Sequence, residues 1–225
     1  MSEFEEFEKN VKEYTKNKDE RSKSGFVIVW DLDNTLVGEY SDQRKFDSEE
    51  IVLNTRAVEI LRKCIEARDK GIVSAIFLLT NNADDFFIKV VELTLSMKVK
   101  KNYHYNVFDF IMSRTHPFRS APLEDPPKSL REVEYMMSQE NLPTENLANR
   151  VFFIDDNASH VIGKQIPREH YIVITPPFSK GGTDATDYSL LEAALEVRRG
   201  GKRKSTRKRT LFRISKKRNI KTRRH

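Results

Sequence analysis

Residues 26–35, FVIVWDLDNT, decide the fold of this chain. The first half, Phe26 to Trp30, is a continuous run of β-branched and aromatic residues, which is the pattern of a strand buried on both faces. Polar residues begin abruptly at Asp31. Because strands buried on both faces belong to parallel sheets covered by helices, this stretch favours an α/β domain.

The rest of the chain alternates similar apolar runs with helical segments. We predict further strands at Ile72–Leu79, Val107–Met112, Val151–Ile154 and Tyr171–Ile174, and helices at Val52–Lys70, Ala83–Met97, Ser129–Gln139 and Thr186–Val197. Strands that alternate with helices require right-handed crossovers and build a mostly parallel sheet. The predicted fold is a three-layer, Rossmann-like α/β domain over residues 25–197.

Charge is unevenly distributed along the chain. The 225 residues include 40 Lys and Arg against 34 Asp and Glu. Residues 198–225 hold 15 of the basic residues and no acid, which leaves 25 basic against 34 acidic residues in the remainder. We predict an acidic folded body and a disordered basic tail, which matches a nuclear-import or nucleic-acid-binding segment, or an arm that docks on the body.

Composition excludes several classes of protein. With 33% charged residues, a mean hydropathy of −0.63 and only short apolar runs, the chain is not a transmembrane enzyme, and we expect no membrane partner. The acidic start argues against a secretory signal, and the single Cys64 cannot form an internal disulfide. We expect an intracellular protein, with the nucleus as one location that the tail allows. Residues 1–24 are predicted to form an amphipathic helix and a linker.

Polar residues directly follow three of the predicted strands. They are Asp31, Asp33 and Thr35 after the first, Thr80, Asn81 and Asn82 after the second, and Asp155 and Asp156 after the fourth. Lys128 opens the helix before the fourth strand. The carboxyl ends of parallel strands meet at one sheet edge, where ligands bind. Because neighbouring carboxylates disfavour each other's ionisation, this set predicts a site for a cation together with an anion.

The segments FVIVWDLDNTL, IFLLTNN, Lys128 and VFFIDDN together resemble the four motifs of the haloacid dehalogenase-type phosphohydrolases, in the same order. The resemblance covers residues 26–197. Only a loop, one helix and one strand separate Thr35 from Thr80, which leaves no room for an inserted cap domain. The chain is therefore most similar to the capless group, typified by the phosphatases of the RNA polymerase II C-terminal domain.

The resemblance implies a role for each of these residues. Asp31 would be the nucleophile that carries an aspartyl-phosphate, and Asp33 would act first as general acid and then as general base. Thr80, Asn81 and Lys128, together with Thr35, would bind the phosphoryl group, although Lys164 or Lys101 could replace Lys128. Mg²⁺ would be bound by Asp31, by the backbone carbonyl of Asp33 and by Asp155 or Asp156, which the sequence does not rank.

A site without a cap implies a large substrate that completes the enclosure itself. The resemblance favours phosphorylated Ser or Thr of a protein such as the RNA polymerase II tail, with the loops Val37–Ser48 and Ser113–Lys128, including Arg119, as groove walls. The alternatives are a phosphatase of nucleic-acid 3′ ends and a non-catalytic nucleic-acid-binding or scaffold protein. Asn34 replaces the usual Glu of the polymerase-tail phosphatases, and Asn81-Asn82 replaces Ala-Ser, so the substrate does not transfer with the motifs.

Overall fold

The computed structural model describes residues 24–38, 51–99, 106–119, 127–179 and 181–196. Within these ranges strands and helices alternate as β1 (Phe26–Trp30), α1 (Thr55–Asp69), β2 (Val73–Leu79), α2 (Asp85–Val99), β3 (Phe110–Met112), α3 (Leu130–Gln139), β4 (Val151–Asp155), β5 (Tyr171–Val173) and α4 (Ser189–Glu196). The predicted N-terminal helix, the basic tail and most of the Val37–Ser48 loop lie outside the described residues.

The five strands form one sheet in the order β3-β2-β1-β4-β5, and every neighbouring pair is parallel. The predicted α/β, Rossmann-like fold is therefore confirmed. The strand order reverses at β1, because the chain builds β2 and β3 on one side of it and then returns to add β4 and β5 on the other. Such a reversal opens a crevice at the carboxyl ends of the central strands.

Both faces of the sheet are buried, as the apolar runs predict. In β1, Ile28 and Trp30 join the core beneath α1, α2 and α4, whereas Val27 and Val29 join the core beneath α3. All four side chains are completely buried. Because successive strand residues point to opposite faces, a strand between two helical layers must be apolar at every position.

Several element boundaries differ from the predictions, and two of these differences have a local reason. Helix α1 begins at Thr55 rather than Val52, because the Asn54 side chain accepts a hydrogen bond from the Ala57 N–H at 3.1 Å and caps the helix. Strand β3 begins at Phe110 rather than Val107, because the Asp109 carboxylate bonds to the Ile76 N–H at 2.8 Å and pairs with buried Arg68 at 3.0 Å.

The described helices include none that is both long enough and apolar enough to cross a membrane.

Candidate active site

Asp31 stands at the carboxyl end of β1, in the middle of the sheet. Its backbone N–H donates to the carbonyl oxygen of Ile154 on β4 at 2.9 Å, and the residue is only 5% exposed. Beyond it the chain turns sharply, since the N–H groups of Leu36 and Val37 both donate to the Leu32 carbonyl. The strand pairing and the turn hold the Asp31 carboxylate at the crevice.

Asn34 enables that turn. Its φ of 55° lies in the left-handed region, which Asn tolerates better than other residues with a Cβ. Burial raises the pKa of Asp156, and a hydrogen bond from the Asn34 side chain opposes this rise. Asn34 therefore both permits the turn and links the loop after β1 to the loop after β4.

Three carboxylates converge where β1 and β4 end. One oxygen each from Asp31, Asp155 and Asp156 lies within 4.8 Å of the others. Asp155 is completely buried, and its Oδ1 accepts a hydrogen bond from the Asn157 N–H at 2.7 Å, whereas Asp156 is half-buried. The structure thus brings together three of the residues predicted to bind a metal.

Lys128 contacts two of these carboxylates. Its Nζ lies 2.6 Å from Asp31 Oδ1 and 2.7 Å from Asp155 Oδ2, and the side chain is almost fully buried. The Ile162 N–H donates to the Lys128 carbonyl at 2.9 Å, which anchors the residue ahead of α3. Lys164 is exposed, and Lys101 lies outside the described residues.

Burial and mutual charge set the protonation of this cluster. Burial raises the pKa of Asp31 to about 7, with a further upward contribution from Asp155, although Lys128 opposes both. Burial also favours the neutral form of Asp155, but Lys128 and His160 outweigh it and lower the pKa of that carboxyl. Burial disfavours the Lys128 ammonium, yet the two carboxylates raise its pKa on balance. Lys128 is therefore charged, and Asp155 is ionised beside it.

The donor set fits a hard divalent cation. Three carboxyl groups face one ammonium, so the cluster keeps a surplus of negative charge when all are ionised. Burial raises the pKa of Asp156 as well, and the charge of Asp155 raises it further. Carboxylate oxygens are the ligands that Mg²⁺ prefers in proteins. The Asp33 carboxylate is not one of this group, and ligation through its backbone carbonyl stays a prediction.

Asn82 orients Asp33, a role that the sequence did not predict. The Nδ2 of Asn82 lies 3.2 Å from Asp33 Oδ1 and 3.1 Å from Oδ2. Asn82 is buried, and its own Oδ1 accepts a hydrogen bond from the Asp84 N–H at 2.8 Å. The third residue of the Thr80-Asn81-Asn82 segment therefore links the loop after β2 to the loop after β1.

Thr80 and Asn81 lie at the end of β2, next to β1. The Thr80 Oγ1 accepts a hydrogen bond from the Asn82 N–H at 3.0 Å, so its hydroxyl proton is left to donate elsewhere. The Asn81 Oδ1 accepts one from Arg119 at 2.6 Å. These contacts fix the shape of the loop, while phosphate binding by the two residues stays a prediction.

Thr35 is completely buried, and its Oγ1 has no hydrogen-bond partner among the described residues. Its carbonyl accepts a hydrogen bond from the Asn54 side chain at 2.9 Å. Thr35 therefore lies buried in the loop that follows Asp31. Phosphate binding by its hydroxyl stays a prediction.

His160 is a site residue that sequence reasoning missed. Its Nε2 lies 3.5 Å from Asp155 Oδ1, and the residue is buried. The histidines of the chain are not spaced like metal ligands. The position of His160 shortly after β4 is therefore the sequence feature that could have placed it at the site. By contrast, Arg119 was predicted to line an open groove, and this is wrong: the side chain is buried and contacts protein groups.

Comparisons with known proteins give distant structural similarities and no sequence match. No protein-family model matches the sequence, and no curated protein matches it. The chain is similar to a solved structure described as a probable YrbI family phosphatase from Pseudomonas syringae pv. phaseolica 1448a. The alignment has a TM-score of 0.43 and 9% identity, and covers 80% of this chain and 89% of that one. The residues of the site must therefore carry any functional inference.

Proposed function

We propose that this protein is a Mg²⁺-dependent phosphatase of the haloacid dehalogenase type, with an aspartate nucleophile. One observation carries the proposal: Lys128 contacts both Asp31 and Asp155 inside a cluster of three carboxylates at the carboxyl edge of a parallel sheet. Such a cluster offers carboxylates to a cation and an ammonium to an anion, which is what a phosphate monoester with its metal requires.

The reaction follows from the residues in two steps. A carboxylate oxygen of Asp31 attacks phosphorus while the bond from phosphorus to the ester oxygen breaks, and Asp33 gives its proton to the departing oxygen. Water then attacks the aspartyl-phosphate and loses a proton to Asp33, which releases inorganic phosphate and restores both carboxyl groups. Lys128 and Thr80 hold the phosphoryl oxygens during both steps.

Asp31, Asp155 and Asp156 would bind the metal. A bound Mg²⁺ would favour the ionised form of Asp31 and screen it from the charge of the phosphate. The protein must counter the effect of burial, which raises the pKa of Asp31 to about 7. Lys128 favours the ionised form of Asp31 and so opposes the rise in its pKa.

A purely structural role for the cluster is less favourable. Removing paired charges from water costs several kcal/mol per ion, so apolar residues at these positions would stabilise the fold at least as well. The cluster contains three carboxyls against one ammonium, which no structural ion pair needs. This disfavours the alternative of a non-catalytic scaffold.

For the substrate we propose phosphorylated Ser or Thr of a protein, of the kind that the RNA polymerase II tail presents. The support is the short connection of residues 31–54 between β1 and α1, which is too short for a cap domain of its own. The second candidate is a nucleic-acid 3′-phosphate, which the basic residues of 198–225 favour. An intracellular, nuclear location suits both substrates.

The first experiment tests the chemistry. We expect the protein to hydrolyse p-nitrophenyl phosphate with Mg²⁺, and Asp31→Asn to abolish turnover. Asp33→Asn should slow it by about 10²- to 10⁴-fold. Glu59→Gln, on the exposed face of α1, is the control that should keep full activity. No turnover by the unsubstituted protein with Mg²⁺, Mn²⁺ or Co²⁺ would refute the proposal.

The second experiment separates the substrates. Phosphoserine peptides and 3′-phosphorylated oligonucleotides are offered in parallel to the full chain and to a form lacking residues 198–225. We expect turnover of the peptides by both forms. The nucleic-acid 3′-phosphate becomes the proposed substrate if the oligonucleotide alone is hydrolysed. In that case its turnover should fall when the tail is removed and when the salt concentration rises.

A further inference from the structure

We propose that Arg119 and Glu132 are positioning residues, which hold the Thr80–Asn81 loop and Lys128 in a fixed relation. The inference rests on the proposed function. It adds a chain of contacts that connects the Thr80–Asn81 loop to Lys128, the two groups that would bind phosphate. Arg119 is only 5% exposed and lies at the end of a short 3₁₀ turn, Pro117–Arg119, after β3.

The guanidinium of Arg119 donates two hydrogen bonds and forms one ion pair. Its Nη1 donates to the Thr80 carbonyl at 2.6 Å, and its Nη2 donates to Asn81 Oδ1 at 2.6 Å. Its Nε lies 2.6 Å from Glu132 Oε1. The planar fork of an arginine presents its two Nη donors in fixed directions, and the ion pair ties the same group to Glu132, so the three oxygen atoms are held near one another. Two of them belong to the loop after β2.

Glu132 connects that arginine to the start of α3. Its other oxygen, Oε2, accepts hydrogen bonds from the Ser129 N–H at 2.6 Å and from the Ser129 Oγ at 3.2 Å, within a capping box. Ser129 directly follows Lys128 in the chain. One carboxylate therefore joins Arg119 to the residue next to the lysine.

The resulting path runs from Thr80 through Arg119, Glu132 and Ser129 to Lys128. The ion pairs with Asp31 and Asp155 hold the Lys128 ammonium, and this path of contacts adds a second link that fixes its distance from the Thr80 hydroxyl. Both would contact the same phosphoryl group, and a displacement of about 1 Å at such a contact can lower a rate about a hundredfold.

Lysine cannot replace Arg119 in this arrangement. An ammonium carries the same charge, but it cannot donate to the Thr80 carbonyl and the Asn81 amide oxygen in the directions of the guanidinium fork while it stays paired with Glu132. Glutamine in place of Glu132 keeps an oxygen to accept from the Ser129 N–H, and removes the charge that pairs with Arg119. These two conservative changes therefore loosen the connection and leave the helix cap in place.

The test uses the full chain with p-nitrophenyl phosphate and Mg²⁺. We expect Arg119→Lys to lower kcat about 10- to 100-fold and Glu132→Gln about 10-fold, with KM changed less than about threefold. Inhibition by orthovanadate, which mimics the transition state, should weaken in parallel with kcat/KM. The exposed pair Arg56 and Glu59 on α1 supplies the controls Arg56→Lys and Glu59→Gln, which should keep full activity.

A double-mutant cycle distinguishes positioning from simple stabilisation. In a Thr80→Ala background, Arg119→Lys should cost much less in kcat than it does alone, because the group that it positions is gone. A loss of thermal stability with unchanged kcat in both conservative variants would overturn the inference and leave the phosphatase proposal intact. If Arg119→Lys does not fold, Glu132→Gln decides alone by the same criterion. An inactive unsubstituted protein would overturn both.

Discussion

Asn82 donates its side-chain amide to both carboxylate oxygens of Asp33, at 3.2 and 3.1 Å. Its own oxygen is held by the Asp84 N–H, which prevents the amide from turning around. The contact joins residues from two neighbouring strand ends. The carboxyl group that would act as general acid is thus aimed by a buried amide rather than left free in the crevice.

This contact predicts that Asn82→Ala slows turnover by weakening acid catalysis. The expected loss in kcat is about 10-fold for p-nitrophenyl phosphate and about 100-fold for phenyl phosphate, because the poorer leaving group depends more on a proton from Asp33. Steady-state kinetics with the two substrates measures the difference. Asn149→Ala, on an exposed position, is the control. Equal losses with both substrates would contradict the role.

Lys128 should be needed for stability as well as activity. Lys128→Met leaves Asp31 and Asp155 buried without their shared cation, and we expect the free energy of unfolding to fall by about 3 kcal/mol in the absence of metal. Urea unfolding at pH 7.5 measures it. Lys164→Met, at an exposed position, should change stability by less than about 0.5 kcal/mol. A similar loss of unfolding free energy in both variants would show that the ion pairs of Lys128 with Asp31 and Asp155 do not stabilise the fold more than a surface lysine does.

The carboxylate cluster should bind Mg²⁺ in the folded state. Because a ligand that binds only the folded form raises stability, Mg²⁺ at about a hundredfold above its Kd should raise Tm by about 5–10 °C. Asp155→Asn and Asp156→Asn should each reduce this shift, and EDTA should reverse it. Exposed Glu169→Gln should keep it. The same shift in all four proteins would place the metal elsewhere.

Asp184 should make a stability contribution that depends on pH. Its carboxylate accepts hydrogen bonds from Asn54, Thr186 and Tyr188 at 3.0, 2.8 and 2.9 Å. Burial by itself favours the neutral acid, but these donors outweigh it and lower the pKa of Asp184. A lowered pKa in the folded state means that the stabilisation is present above the unfolded-state pKa of about 4, and is lost as pH falls through the folded value.

We therefore expect Asp184→Asn to lower the free energy of unfolding by about 0.5 kcal/mol at pH 7, a modest amount because much of the group faces water. The difference from the unsubstituted protein should shrink as pH falls below about 4. Urea unfolding at pH 7 and at pH 3.5 provides the comparison. A difference that grows towards low pH would contradict the sign.

The fold could be predicted from local patterns because it depends on them. The run from Phe26 to Trp30 is apolar at every position, and such a strand is stable only between two helical layers. Once the sheet is parallel, the residues after each strand must lie at one edge. Asp31, Asp155 and Thr80 were predicted at that edge for this reason, and the structure places them there.

The internal arrangement of the site depended on contacts that no local pattern records. The sequence favours Lys128 by its position and leaves Lys164 and Lys101 open, and only the packing ahead of α3 buries Lys128 between two carboxylates. Arg119 looked like a surface residue of a polar loop, yet its side chain points inward to Thr80, Asn81 and Glu132.

The physical reason is the range of the interactions involved. Strands and helices are determined largely by residues that are close together in the sequence. The apolar spacing and the carboxylates at the strand ends therefore already specify an α/β sheet with an acidic edge. The direction of a side chain is settled by groups far away in sequence, as when Asn82 meets Asp33 or Glu132 meets Arg119. The choice of lysine, the aim of the acid and the inward turn of Arg119 therefore belong to the tertiary structure alone.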